Sequence, residues 1–361
     1  MWMLISSLLP LSALVYIGWH VWCLLPLGWM WKVLILALMT GAFLLLFAGI
    51  MRSTDRMPMP LAIAVYEIGT SSIIILLYLF MLFLLMDALV ALHIVPRDVL
   101  HHSWTGTLGI MAVMVAVFTY GNIHYRNKVR VPMTLSSGGK VARPYKLVMA
   151  SDLHLGYHNR RAELAKWIDL INGEHPDALL IACDIIDRSL RPLVEERMAE
   201  EWRRLECPVY ACLGNHEYYS GKSGSEYFYQ QAGITLLRDS VAVIDNGLCI
   251  VGRDDRSNLH RLSLHQLMKG KAGNVYTILL DHQPYHLEQA ERQKVDFQFS
   301  GHTHYGQVWP ISWITDMIYE CSFGLYQRGN TRYYVSSGLG IWGGKFRVGT
   351  RSEYVVVTLM P

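Results

Sequence analysis

Four long apolar stretches in the first third of the chain, residues 4–25, 27–50, 61–92 and 105–124, constrain its fold more than any other feature. A helix needs about 20 apolar residues to cross the hydrocarbon core of a bilayer, and each stretch reaches that length. The third is longer than a span requires. The first has no basic n-region and is followed by three more apolar stretches, so it reads as a span and not as a secretory signal. Only 17% of the 361 residues are charged, and beyond about residue 140 the chain turns to ordinary globular sequence with charges, glycines and turn signals. The expected organisation is a membrane domain over 1–125 with about four transmembrane helices, a juxtamembrane linker over 126–143, and a globular domain over 144–361.

Four spans put both ends of the membrane domain on one side. Arg52, Arg56, Arg126, Lys128 and Arg130 share that side, while Lys32 and Arg97 lie opposite. The positive-inside rule then predicts a multi-pass protein of the cell (inner) membrane with its globular domain in the cytoplasm. The odd set of Cys183, Cys207, Cys212, Cys249 and Cys321 shows no metal or redox pairing and suits a compartment where thiols stay reduced. Trp2, Trp19, Trp22, Trp29, Trp31 and Trp104 lie near span ends, as an interfacial belt would. Glu67 and Asp87 fall within the third stretch. Their places toward its two ends favour the interface over a transport path. A net charge of +3 gives no basic stripe, so no nucleic-acid partner is expected.

In the globular part, strand patterns fall at residues 145–150, 178–183, 209–213, 241–244, 249–252, 275–280, 297–299, 333–335 and 354–359. Helical patterns fall at 161–172, 192–205 and 225–233. Asp245-Asn246-Gly247 is a hairpin signal, and residues 126–143, with Ser136-Ser137-Gly138-Gly139, read as a connector with a turn.

Polar groups cluster just beyond strand ends. Asp152 and His154, Asp184, Asn215 and His216, His282, and His302 and His304 each follow a predicted strand. In an α/β sheet the carboxyl ends of the strands converge on a crevice, so loops distant in sequence can meet there. Imidazole, carboxamide and carboxylate groups are ligands for hard or borderline divalent ions, and a carboxylate can bridge two of them. Asp184, following the apolar run Leu179-Leu180-Ile181-Ala182-Cys183, is the natural bridge. An extended backbone would turn Asp152 and His154 to one side, and likewise His302 and His304.

Taken in order, Asp152-Leu153-His154, Asp184 with Asp187, Gly214-Asn215-His216-Glu217, His282 and Gly301-His302-Thr303-His304 resemble the five blocks of the calcineurin-like metallophosphoesterases. Gly306-Gln307 and Gly349-Thr350-Arg351 add a likeness to the bacterial membrane-associated phosphodiesterase branch. The resemblance covers about residues 145–360. It implies an α/β fold class, a four-layer α/β/β/α sandwich forming the catalytic domain beside the transmembrane bundle. It also implies two divalent metal ions (Mn, Fe, Zn or another): Asp152, His154 and His304 on one, Asn215, His282 and His302 on the second, Asp184 bridging. A metal-bridging hydroxide would attack phosphorus in line, and His216 would stabilise or protonate the leaving oxygen.

One residue departs from the pattern, and two further features accompany it. Cys183 occupies a position where the family has glycine, and a buried thiol is expected. Asp187 is expected to support its loop by hydrogen bonds without touching metal. Gly252-Arg253-Asp254-Asp255-Arg256 reads as a solvated turn from which Arg253 or Arg256 would reach a phosphate only in the sharper reading. Residues 308–326 are apolar for a loop, with Trp309, Trp313, Ile314, Met317, Ile318, Tyr319 and Phe323, joined by Trp342 and Phe346. They suit either a core helix or a lip against the bilayer. The function expected is hydrolysis of a phosphodiester or pyrophosphate bond, with a lipid-linked phosphate as one candidate substrate. The alternative is a membrane transporter or sensor whose domain binds a ligand without turnover.

Overall fold

The computed structural model describes residues 2–245, 247–269 and 275–361, in two compact units, Met1–Gly121 and Asn122–Pro361. The first unit contains α1 (Trp2–Leu24), α2 (Trp29–Ile50), α3 (Met59–Ala91) and all but the last turn of α4 (Trp104–Arg126). α2, α3 and α4 are long and apolar enough to cross a membrane, and in α1 the residues with described side chains form a shorter apolar helix, Leu11–Leu24. Trp2 lies outside the residues whose side chains are described. α2 and α3 approach closely at Gly69, where a Cβ would stand 2.5 Å from the Leu46 amide nitrogen. Small residues allow such backbone contact in lipid. Asp87 accepts from Tyr16 Oη at 2.5 Å, and His20 Nε2 lies 3.0 Å from it. Glu67 lines a cavity of about 710 Å³ together with Ser71, Ser72 and Thr107. It thus faces the space between helices.

The second unit runs β1 (Lys128–Ser136), β2 (Tyr145–Ala150), α5 (Arg161–Asn172), β3 (Ala178–Ile181), α6 (Arg191–Glu195), α7 (Met198–Trp202), β4 (Val209–Ala211), α8 (Asn215–Ser220), α9 (Lys222–Ala232), β5 (Ile234–Leu236), β6 (Ser240–Asp245), β7 (Leu248–Gly252), α10 (Leu264–Met268), β8 (Tyr276–Leu280), α11 (Glu288–Arg292), β9 (Phe297–Ser300), α12 (Ile311–Ile318), β10 (Gly324–Arg328), β11 (Thr331–Val335) and β12 (Ser352–Met360). The strands form two six-stranded sheets, ordered β1-β12-β2-β3-β4-β5 and β10-β11-β9-β8-β7-β6. Neighbours from β2 to β5 are parallel, as are β7, β8, β9 and β11 in the other sheet. Parallel strands covered on both faces carry unbroken apolar runs, which is why they were legible.

Side-chain alternation assigns the layers. Leu248, Ile250, Tyr276, Ile278 and Leu280 of the second sheet enter one core with Leu147, Leu179 and Val355 of the first. Cys249, Val251 and Leu279, one residue out of phase, pack instead with Leu264 of α10 and with Leu287 and Ala290 at α11. α5 buries Leu164, Trp167, Ile168 and Ile171 in the core that includes the first sheet. The expected α/β/β/α sandwich results.

Several local expectations differ from the structure. The segment read as a linker holds β1, paired in parallel with β12 from Lys128↔Ser352 to Ser136↔Met360. Polar residues and Pro132 alternate with Val129, Val131 and Met133, a pattern an edge strand tolerates. The helix expected over 192–205 is two pieces, because Arg197 takes a left-handed conformation (φ 52°) between α6 and α7. The three-residue β5 was missed for its length, and β10 because it begins within the apolar segment 308–326. Strands β6 and β7 pair antiparallel as a hairpin would, while Asn246 of the turn lies outside the described residues. α12 is no core helix: it buries Ser312 and Thr315 and exposes Trp313, Ile314, Met317 and Ile318.

Candidate metal centre

The loops beyond β2 and β3 lie side by side and tie to each other through their backbones. Asp152 N donates to Cys183 O (2.8 Å) and His154 N to Asp184 O (2.9 Å). Neither loop is extended. Asp152, His154 and Asp184 have φ of 53°, 46° and 55°, and His302 and His304 have 71° and 49°. The extended geometry expected for Asp-x-His and His-x-His is replaced by left-handed residues, a conformation that costs energy and gathers at functional sites. Alternating left-handed residues curl the chain so that side chains two apart converge.

Two glycines make room for the carboxylates. A Cβ on Gly214 would lie 2.1 Å from Asp184 Oδ1, and one on Gly301 would lie 2.3 Å from Asp152 Oδ2. Gly214 precedes α8, so Asn215 and His216 open a short helix, where a loop was expected. Asp184 Oδ1 accepts from the His216 amide at 3.0 Å, and Asp152 accepts from the Ser151 hydroxyl (2.5 Å) and the His302 amide (3.0 Å).

Three groups of donor atoms, each within 4.8 Å of one another, fill the crevice: Asp152, His154 and His304; His154, Asp184 and His216; and Asp184, His282 and His302. The Nε2 atoms of His154 and His304 are 3.0 Å apart, with Asp152 Oδ1 at 3.6 Å from His304 Nε2. On the other side, Asn215 Oδ1 lies 2.9 Å from His302 Nδ1 and 3.2 Å from His282 Nε2, which is 3.1 Å from Asp184 Oδ2. His282 Nδ1 sits 3.0 Å from the Ala182 carbonyl oxygen, so it donates there and turns Nε2 inward. The donor set fits divalent ions. Two nitrogens each ~2.1 Å from one ion, at roughly a right angle, stand about 3.0 Å apart.

Electrostatics agree. Burial, together with neighbouring imidazoles, lowers His154 and His302 to about 4 and His304 well below its usual range, leaving them neutral as metal ligands must be. Burial raises Asp152 to about 6, aided by the nearby charge of Asp184. Burial also opposes ionisation of Asp184, but the imidazoles of His282 and His216 outweigh it and hold Asp184 well below the usual carboxylate range. Conversely, burial opposes protonation of His282 and His216, and the carboxylates win, raising His282 strongly and His216 to about 9.

His216 stands where both sets meet. Its Nδ1 lies 2.9 Å from the Asp187 carbonyl oxygen and 3.2 Å from its Oδ1, and its ring is 4.5 Å from that of His154. Asp187 Oδ1 is also 3.5 Å from His154 Nδ1. Cys183 is a buried thiol, 3.1 Å from Tyr229 Oη and pushed well above its usual pKa by burial, and it belongs to none of the donor groups.

Three further residues matter that sequence reasoning gave no such role. Glu217, fully buried, accepts from Gly214 N (2.8 Å), Ile186 N (3.0 Å) and Tyr229 Oη (2.8 Å), and so pins the Asn215 block to the Asp184 loop. Buried Arg347 donates to His304 O (2.7 Å) and to Gly340 O (3.1 Å), fixing the last histidine from the far end of the chain. Arg188 lies with its guanidinium 5.4 Å from the Tyr219 ring, itself 5.3 Å from the His216 ring. Its buried Nε has no hydrogen-bond partner among the described residues. A charged residue directly after Asp187 was the available signal. The Gly252–Arg256 turn is not solvated as expected: Arg253, Asp254 and Asp255 are buried, with Asp254 bonded to Tyr218, Arg238 and Asn258.

The sequence that carries these donors is matched by known proteins. The Calcineurin-like phosphoesterase profile matches residues 145–306. A metallophosphoesterase of Aquifex aeolicus is 33% identical over 226 residues, 59% of this chain and 84% of that protein. One from Campylobacter jejuni is 30% identical over 258 residues, 68% of each chain. A zebrafish (Danio rerio) transmembrane protein with a metallophosphoesterase domain is 30% identical over 232 residues, and the chain spans 53% of its length. The chain belongs to the calcineurin-like metallophosphoesterase family, whose members hydrolyse phosphoesters using divalent metals, and it joins that domain to transmembrane helices.

Proposed function

We propose that the chain is a membrane-anchored dinuclear-metal phosphoesterase that cleaves a phosphodiester or pyrophosphate bond. The observation that carries this reading is Asp184, which takes part in two donor groups, one with His154 and His216 and one with His282 and His302. Asp152, His154 and His304 would hold one ion and Asn215, His282 and His302 the second, with Asp184 shared. Two bound divalent ions would supply charge to the phosphoryl oxygens and a nucleophile from water at neutral pH.

The remaining work falls to the chain. His216 donates from Nδ1 to the Asp187 carbonyl oxygen, which aims Nε2 at the crevice. From that position Nε2 would deliver a proton to the leaving oxygen as the P–O bond breaks. Arg188, whose guanidinium lies beside the Tyr219 ring next to His216, would offer its N–H groups to a phosphoryl oxygen.

An acylated or otherwise lipid-linked substrate is favoured by one feature. α12 follows His304 within a few residues and presents Trp313, Ile314, Met317 and Ile318 outward, beside Trp309. Such a face lies naturally in a bilayer interface. The basic residues flanking the spans favour a cytoplasmic catalytic domain at the cell (inner) membrane. The deciding experiment is hydrolysis of bis(4-nitrophenyl) phosphate by purified protein with manganese. No turnover by the wild type sinks the reading, as does a His216→Ala variant that hydrolyses a diester with an alkyl leaving group as fast as the wild type.

A further inference from the structure

The buried turn after β7 carries two arginines with opposite fates. Arg253 is committed to an ion pair: its Nη1 donates to Asp281 Oδ2 (3.2 Å) and Gln289 Oε1 (3.0 Å). The acids around it are also engaged, Asp281 additionally by Arg261, Asp254 by Arg238, and Asp255 by Gln283. Arg256 has no carboxylate within ion-pair distance among the described residues, and its guanidinium lies 4.2 Å from the centre of the Tyr285 ring. Tyr285 Oη donates to Tyr319 Oη at 3.1 Å, and the Tyr319 ring is 6.4 Å from that of His302. A cation, two phenol hydroxyls and a metal-site imidazole thus form one continuous wall.

Stacking holds a guanidinium flat and leaves its N–H donors at the edge, the form suited to a phosphate. We infer that Arg256, with the hydroxyls of Tyr285 and Tyr319, forms a second anion subsite on the His302 side of the crevice, which takes the neighbouring phosphate of a diphosphate substrate. This rests on the proposed hydrolytic reading and selects, within it, a pyrophosphate bond over a simple phosphodiester. The scissile phosphorus sits at the cluster. The second phosphate lies along the tyrosine wall with its charge against Arg256.

The test compares ligands that differ by one phosphate. Calorimetry on the purified full-length protein, with and without manganese, measures ADP and AMP binding for the wild type, Arg256→Ala and Arg256→Lys. The wild type is expected to prefer ADP, and Arg256→Ala to lose roughly 10- to 100-fold of that preference, the scale of one charge-assisted pair. Arg256→Lys recovers part of it, which a misfolded variant would not. In turnover, the ratio of kcat/KM for ADP-ribose over bis(4-nitrophenyl) phosphate falls by a similar factor in Arg256→Ala. An ADP/AMP preference unchanged by Arg256→Ala overturns the inference. A wild type that hydrolyses neither ester but keeps an Arg256-dependent preference for ADP refutes the hydrolytic reading and supports the subsite.

Discussion

The Nε2 atoms of His154 and His304, 150 residues apart in the chain, stand 3.0 Å from each other. Two neutral imidazoles facing edge to edge in a buried crevice have little to offer one another beyond a single shared proton. A cation between them changes that. Replacing His304 by alanine should lower bound manganese, read by mass spectrometry of the purified protein, and reduce kcat by roughly 100-fold or more. Full metal content in that variant would remove His304 from the ligand set.

His216 separates from its neighbours by role. His216→Ala should keep its metal content and lose roughly 10²- to 10⁴-fold in kcat, the range for removing a general acid. The loss should shrink with a substrate whose leaving group is already acidic, such as a nitrophenolate. Measuring kcat against leaving-group pKa gives a steeper slope for the variant if the assignment holds.

Gly301→Ala tests the close approach at the centre. Its Cβ would meet Asp152 Oδ2 at 2.3 Å and Ser151 Cβ at 2.6 Å, so the carboxylate must move. Overpacking of this kind costs about 1–3 kcal/mol. The expected readout is reduced metal affinity together with a lower melting temperature, whereas alanine at Gly173, where the nearest atom is 3.4 Å away, should be far milder.

Glu174 links β1 to the rest of its sheet and supplies a pH dependence. Hydrogen bonds from Arg130 at 2.6 Å and 3.0 Å, against a small cost of burial and with help from Lys146, lower its carboxyl from 4.5 to about 2. Because the folded value is depressed, the stabilisation is present above about pH 4.5 and is lost as pH falls toward 2. Arg130 is 44% exposed, which limits the pair to about 1 kcal/mol or less, or roughly 2 °C in melting temperature. Glu174→Gln should melt lower at pH 7, with the gap closing below pH 4. A gap independent of pH would exclude the ion pair as its source.

The ligand types were legible because they sit immediately beyond apolar runs, and such runs are forced on parallel strands buried on both faces. Asp152, His154, Asp184, Asn215, His282, His302 and His304 could all be named that way. Their geometry could not. Nothing in Asp-x-His announces that both residues are left-handed, since that conformation is sustained by backbone bonds from Asp152 to Cys183 and from His154 to Asp184, across two loops. Arg347 was invisible for a similar reason: its importance is a hydrogen bond to a carbonyl 43 residues earlier.

By itself the sequence determined that part of the chain enters a membrane, that the remainder is a layered α/β domain, and which side chains could hold metal. Each of these follows from local chemistry: apolar length, strand periodicity and donor type. Tertiary structure alone decided that residues 128–136 close a sheet and do not link two domains, since an edge strand is defined by its partner β12. It alone decided that Arg253 is spent on Asp281 while Arg256 rests on Tyr285. Two arginines three residues apart look alike in sequence, and only the groups folded against each of them set what its charge can do.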